Sequence, residues 1–158
     1  MIGEKFTLAI DFDGVIVSHL YPDVGKLHEP AKEFVNRLYD TGRFYIIIWS
    51  TRAGEDFDQM VEFLKANSIK YDSINENNPL FIEALNSKLV PEPRKIYYDM
   101  VIDDKALPWF DFNDKVAWDL MYKIVLGQEY SVRLEKAKAD LRTNSKNDAG
   151  VEDKTSEQ

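Results

Sequence analysis

The sequence predicts an α/β fold, a central parallel sheet with helices on both faces, and three observations carry that prediction. Apolar, strand-like runs alternate with amphipathic, helix-like segments over the first two-thirds of the chain, which is the rhythm of βαβ units. The run "FYIIIWS" is apolar without alternation, as a strand covered on both faces is. The chain has 158 residues, 44% of them hydrophobic, enough for one domain with a real core and too few for two comfortable ones.

Taken in order, a strand over Phe6 to Asp11 runs into a turn and an irregular segment through Gly25. "EPAKEFVNRLYDTGR" reads as a helix with Pro30 in its first turn and Gly42 past its end. Its apolar positions Ala31, Phe34, Val35 and Leu38 share one face. "FYIIIWS" is the second strand, and Gly54 to Ala66 a second helix with Phe57, Met60, Val61 and Leu64 on one stripe. "YDSIN" is a short third strand, Pro79 to Lys88 a weaker helix, and "LVPEPRK" a proline-broken connection. "IYYDMVIDD" is a fourth strand that ends, like the first, in paired acids. A last helix is expected over Asn113 to Leu126. The folded domain is therefore placed at residues 1–127 and a charged tail at 128–158. In the tail "SVRLEKAKADLR" is compatible with a helix, and "TNSKNDAGVEDKTSEQ" is expected to be disordered.

Composition excludes several function classes. No apolar run approaches the roughly 18–20 residues of a membrane span. No secretory pattern follows Met1, and cysteine is absent, so a reducing, cytoplasmic setting is expected. The net charge of −8 speaks against a broad, nonspecific grip on nucleic acid.

Parallel sheets hold ligands at the carboxyl ends of their strands. Three strand ends bring polar groups to that edge: Asp11 with Asp13, Ser50 with Thr51, and Asp103 with Asp104. Lys95, just before the fourth strand, is the candidate cation, preferred over Lys88. Converging carboxylates repel one another unless a positive charge sits among them, and a hard, oxygen-liganded ion such as Mg²⁺ meets that need. A metal, a lysine, a hydroxyl and a nucleophilic carboxylate together suit phosphoryl transfer. A second carboxylate two residues from the first can move the proton.

"AIDFDGVIV", "IIIWSTR" and "RKIYYDMVIDD", in that order, resemble the motifs of haloacid-dehalogenase-type (HAD) phosphohydrolases. The resemblance spans Phe6 to roughly Leu107 and is closest to small, minimally capped bacterial and phage members. It implies a three-layer, Rossmann-like α/β/α fold without a large cap domain. By the same resemblance Asp11 is the nucleophile and Asp13 the general acid and base. Mg²⁺ would be held by the Asp11 carboxylate, the Asp13 backbone carbonyl, and Asp103 and Asp104, one directly and the other through water. Gly14 would permit the tight turn, Ser50 would donate to the phosphoryl oxygens and Lys95 would neutralise them. Thr51 and Arg52 complete the candidate phosphate-binding set. Arg52 is weighed equally as a substrate contact and as a surface salt bridge.

The remaining candidates have plainer readings. His19 and His28 are expected in a flap after the first motif, with His19 a minor candidate for substrate contact. The amides of "INENN" could read a substrate or simply make a turn. Tyr21, Trp49 and Trp109 could stack on a base, although Trp49 is expected to pack and Trp109 to seal the C-terminal helix against the sheet. Lys105 is expected to be solvated or charge-balancing. Both places for an inserted cap, residues 15–30 and 75–95, are short. Such a site suits a phosphorylated macromolecular end, or a phosphorylated small molecule if a homo-oligomer supplies the lid. The expected activity is a Mg²⁺-dependent phosphomonoester phosphatase. Its alternatives are a nucleotidase or polynucleotide-end phosphatase, and a non-catalytic phosphate-binding scaffold.

Overall fold

The computed structural model describes residues 5–149, with side chains as far as Thr143. Four strands, β1 (Phe6–Asp11), β2 (Phe44–Trp49), β3 (Ser73–Ile74) and β4 (Met100–Ile102), form one sheet in the order β3-β2-β1-β4. Every pairing is parallel. Four helices connect and follow them: α1 (Glu29–Asp40), α2 (Glu55–Ala66), α3 (Pro79–Asn86) and α4 (Lys115–Ala149). This is the three-layer, Rossmann-like α/β architecture that the alternation of elements predicts.

The two central strands are long because both of their faces are covered. Phe6, Leu8, Ala9 and Ile10 of β1 and Ile46, Ile47 and Ile48 of β2 are all fully buried. On one face Ala9 and Ile47 pack with Ile96, and Tyr45, Trp49, Tyr98 and Val101 lie against them. α1 buries the predicted stripe of Ala31, Phe34, Val35 and Leu38, and Pro30 sits in its first turn. α2 buries Met60 and Leu64, while Phe57 and Val61 are only half-buried.

The outer strands are shorter than their sequences suggest, for a specific reason. At β4 the ladder covers only Leu8–Ile10 against Met100–Ile102. Upstream of it, the Asp99 amide donates to the Thr7 carbonyl at 2.8 Å while the Asp99 carboxylate accepts from the Thr7 amide at 2.8 Å. A side chain thus takes the place of a strand carbonyl, and residues 96–99 run beside β1 without joining it. Asp72 does the same ahead of β3, its amide giving to Ile46 O at 2.9 Å and its carboxylate accepting from Ile46 N at 2.8 Å. The expected strand over "IYYDMVIDD" is correspondingly cut to three residues.

The C-terminal helix departs from expectation in the other direction. Instead of stopping near Leu126 it continues through Gly127 to Ala149, so residues 143–149, expected without structure, are helical. A helical glycine costs about 1 kcal/mol relative to alanine. The long run of Glu, Lys, Ala, Leu and Arg that follows, with ion pairs Glu129–Arg133 and Glu135–Lys138, offsets it. Residues 150–158 of the expected disordered segment lie outside the described residues. Contacts divide the chain into two compact units between Lys123 and Ile124.

Within the first unit the sealing role expected of Trp109 falls to Trp118. Trp109 is 75% exposed and meets only the edge of Phe110. Trp118 is 2% exposed, stacks obliquely on Phe34 of α1 at 4.8 Å, and donates its indole N–H to Phe112 O at 2.9 Å. Trp118, from the first turn of α4, is what seals that helix. No helix among the described residues is long and apolar enough to cross a membrane.

One buried atom lacks a partner. Thr7 is fully buried in β1, and its hydroxyl makes no hydrogen bond among the described residues. Thr7→Val keeps the β-branched shape and removes a desolvated hydroxyl, so it is expected to stabilise the fold by about 1 kcal/mol. Thermal melts should show the variant a few degrees higher; a lower melting point would mean that the hydroxyl is satisfied.

Candidate active site

In a sheet ordered β3-β2-β1-β4 the chain leaves β1 toward one side and returns as β4 on the other. A crevice therefore opens at the carboxyl ends of β1 and β4, where such folds place their ligands. Asp11 ends β1, and Asp103 follows β4 directly after Ile102, the register partner of Ile10. The parallel ladder itself sets the two acids side by side. Asp104 is the next residue, and one carboxylate oxygen from each of Asp11, Asp103 and Asp104 lies within 4.8 Å of the others.

The turns after each strand hold these acids in place. The Asp11 carboxylate accepts the Phe12 amide at 2.8 Å. The chain then folds tightly, with Ile16 and Val17 donating to Phe12 O and Gly14 donating to Val17 O. Gly14 adopts φ +95°, and a Cβ there would stand 2.6 Å from the Asp104 carboxylate. Glycine at this position thus answers two needs: a left-handed turn, and room for an acid from β4. Asp103 accepts the Lys105 amide at 2.7 Å, which shapes the turn that presents Asp104.

Crowding has an electrostatic signature. Asp11 is pushed from 3.8 to about 7, first by burial and then by the neighbouring Asp103. The Phe12 amide opposes the shift, and Asp104 and Asp13 add smaller repulsions. Lys105 sets its ammonium 2.5 Å from Asp104, and that hydrogen bond raises its own pKa. All the acidic donors are carboxylate oxygens, with neither histidine nor cysteine among the three. That donor set fits a hard cation such as Mg²⁺ and not a softer transition metal.

These acids open onto a cleft of 320 Å³ that Asp13, Ser50, Thr51 and Lys105 also line, with His19, Tyr21 and Trp49 at its wall. Ser50 is held by Asn75, whose side-chain amide bonds both backbone groups of Ser50: Oδ1 accepts from its N–H at 2.8 Å and Nδ2 donates to its carbonyl at 2.7 Å. The remaining "INENN" amides are engaged in structure. Asn77 joins the Tyr97 amide to Glu92, and Asn78 caps α3.

Two predicted residues are placed elsewhere. Lys95 is exposed, with its ammonium 5.4 Å from the centre of the Tyr98 ring, and does not line the cleft; Lys88 is likewise exposed, in the turn after α3. The lysine brought to the acids is Lys105. Arg52 lies neither at the surface nor on the cleft wall. Its side chain is fully buried and grips Asp13 with two bonds of 2.7 Å. Sequence reasoning passed over Asn75 as a positioning residue. A signal for it existed in its place directly after β3, where a positive φ and a side-chain amide often end a strand. His28 is buried and its ring bonds Val15 O at 2.9 Å, whereas His19 reaches the cleft.

A solved structure of a conserved protein from Bacteroides thetaiotaomicron is similar to this chain, with a TM-score of 0.62 and 28% identity, covering 78% of this chain and 92% of that one. No family model and no curated protein matches the chain. The likeness supports the three-layer α/β fold.

The displaced titration of Asp11 has a consequence for stability. Its folded pKa lies above its unfolded one, so the native state keeps a proton that the unfolded chain loses. Stability therefore falls as pH rises from about 4 to about 7, and the penalty is complete above 7. Discounted for partial exposure, the penalty is on the order of 1–2 kcal/mol. Asp11→Asn removes it. In chelated buffer the variant should melt higher than the parent at pH 8 and equally at pH 4, and Mg²⁺ should raise the parent's melting point more than the variant's. Identical melting at pH 8 would show that the acids do not strain one another.

Proposed function

We propose that this protein is a Mg²⁺-dependent phosphomonoester phosphatase that works through a phosphorylated Asp11. One observation supports the reading: the Asp11 carboxylate, three further acids, hydroxyls and a lysine meet in one cleft at the sheet's switch point. The sequence resemblance to HAD-type phosphohydrolases points the same way.

In the first step an Asp11 oxygen attacks phosphorus as the bond to the leaving oxygen breaks, and Asp13 gives that oxygen its proton. In the second, water attacks phosphorus of the aspartyl-phosphate, Asp13 takes the water's proton, and inorganic phosphate departs with Asp11 restored. Ser50 supplies a hydroxyl to the phosphoryl oxygens. Lys105, in the place that the sequence resemblance assigned to Lys95, supplies their positive partner. Asp11, Asp103 and Asp104 would hold Mg²⁺, whose charge lets an anionic nucleophile approach an anionic ester.

Charge also sorts the alternatives. Four carboxylates and one lysine line the cleft, so a polynucleotide end, with further phosphates following the first, meets repulsion that a small monoester avoids. The flap between β1 and α1 and the single short helix α3 between β3 and β4 leave the cleft open, and its wall carries Tyr21 and Trp49, which suits a planar leaving group. A mononucleotide fits both conditions.

The purified chain should hydrolyse p-nitrophenyl phosphate with Mg²⁺, stop on EDTA and resume when Mg²⁺ is returned. Asp11→Asn should lower kcat by at least about a thousandfold while circular dichroism stays unchanged. Persistent turnover by that variant would refute the covalent route. A parent inactive on aryl phosphates and mononucleotides alike would leave the phosphate-binding scaffold as the reading.

A further inference from the structure

The Arg52 side chain is fully buried, and its guanidinium donates to Asp13 and to two backbone carbonyls. Nε and Nη2 each bond one oxygen of Asp13 at 2.7 Å. Nη1 donates to Pro22 O at 2.8 Å, and Nη2 donates again to Asp23 O at 2.9 Å. The planar group lies between two rings, its central carbon 5.4 Å from Phe12 and 5.3 Å from Tyr21. Its own amide donates to Ser50 Oγ at 3.2 Å. Each guanidinium nitrogen is thus engaged, none of them by the phosphoryl side of the cleft.

Pro22 and Asp23 sit at the tip of the flap that follows Asp13. The base of that flap is closed by two backbone bonds, Ser18 N–H to Lys26 O at 2.8 Å and His28 N–H to Ile16 O at 2.9 Å, and by Lys26 N–H to Ser18 Oγ at 2.9 Å. Gly25 presses so near Ser18 that a Cβ would stand 1.7 Å from its carbonyl oxygen. The tip is moored by Arg52, and Asp56 of α2 stands near enough to the Tyr21 hydroxyl to raise its pKa. His19 and Tyr21, from this same flap, wall the cleft beside Asp13.

We infer that Arg52 is a positioning residue that locks the Asp13 carboxylate and the 18–26 flap into one unit, so that the proton donor and the leaving-group wall are set together. A bidentate guanidinium fixes both the rotation and the plane of a carboxylate, which a lysine's point charge does not. Each carboxylate oxygen still has a lone pair for a proton at the cleft. This deepens the phosphatase reading and rests on Asp13 as the acid–base group. It assigns Arg52 a role apart from phosphate binding: its loss should hurt the proton transfer and spare phosphoryl recognition.

The test uses leaving groups of different need. p-Nitrophenolate departs without a proton, whereas the alkoxide of glycerol phosphate requires one. Arg52→Lys, which keeps the charge, should lower kcat/KM by about tenfold on glycerol phosphate and by less than about threefold on p-nitrophenyl phosphate, with KM little changed. Asp13→Asn should show the same asymmetry, larger. Amide hydrogen exchange at Ser18 and Lys26 should speed up in Arg52→Lys while β1 and β2 exchange as in the parent. Guanidinium ion should restore alkyl-phosphate turnover to Arg52→Ala. Equal losses on both substrates with a raised KM in Arg52→Lys would mean that Arg52 binds phosphate, and an unaltered flap would mean that it moors nothing; either overturns the inference. If Asp13→Asn lowered kcat/KM, which reports the phosphorylation step alone, on both substrates alike, the acid–base reading would be what fails.

Discussion

Repulsion among Asp11, Asp103 and Asp104 is the constraint to which the rest of the structure answers. Two unit charges within 4.8 Å cost on the order of 3–4 kcal/mol at an effective dielectric of about 20, and here there are three pairs. That is comparable with the whole stability of a domain of this size. The fold lives with it because one acid holds its proton to about pH 7 and another is met by Lys105. Structural acids seldom crowd this way at the mouth of a cleft, and perturbed groups in clefts are where chemistry is found.

The sheet is built to enforce that crowding. Pairing of Ile10 with Ile102 leaves Asp11 and Asp103 no choice but adjacency, and Gly14, lacking a side chain, lets the β1 turn come against Asp104. At the other edge Asp72 and Asp99 use their carboxylates as surrogate strand carbonyls, which anchors two very short strands. Carboxylates thus serve opposite ends of the sheet in opposite ways: satisfied by backbone amides where strands begin, and set against one another where they end.

What could be read from the residues follows from where information is local. The β1 and β2 strands and the α1 stripe announce themselves because burial on two faces, or on one face of a helix, fixes residue type at each position. The paired acids are equally legible, since carboxylates placed straight after a buried strand must face the edge where that strand ends. The trimming of "IYYDMVIDD" was not, because nothing in an aromatic-rich run reveals that Asp99 will take a ladder bond. The misplacing of Trp109 has the same origin: Trp109 and Trp118 differ in partners, not in local pattern. Lys95 against Lys105 was decidable in principle. Lys95 precedes the strand and so belongs with the edge where Asp99 meets Thr7, whereas ligands gather at the carboxyl edge, where Lys105 stands. Arg52 in its buried setting could not be foreseen, for its partners at Pro22 and Asp23 are backbone carbonyls that any sequence possesses.

Counting charge by pairs shows which acids of the cleft are matched by a cation and which are not. Asp13 is matched by Arg52 and Asp104 by Lys105, each at hydrogen-bonding distance. Asp11 and Asp103 are left without a salt bridge to any cation of the described residues, Asp11 keeping its proton to about pH 7. A buried guanidinium is costly unless its partner and its remaining donors are engaged, and Arg52 meets that condition through the flap carbonyls. The pairing of Asp13 is therefore independent of what fills the cleft. Lys105 is different: it is exposed, on a flexible stem, and bound to a single acid. On the proposed metal-dependent reading, a dication taking the charge of the acids would loosen Lys105 from Asp104 and leave it as the cation within reach of a phosphate.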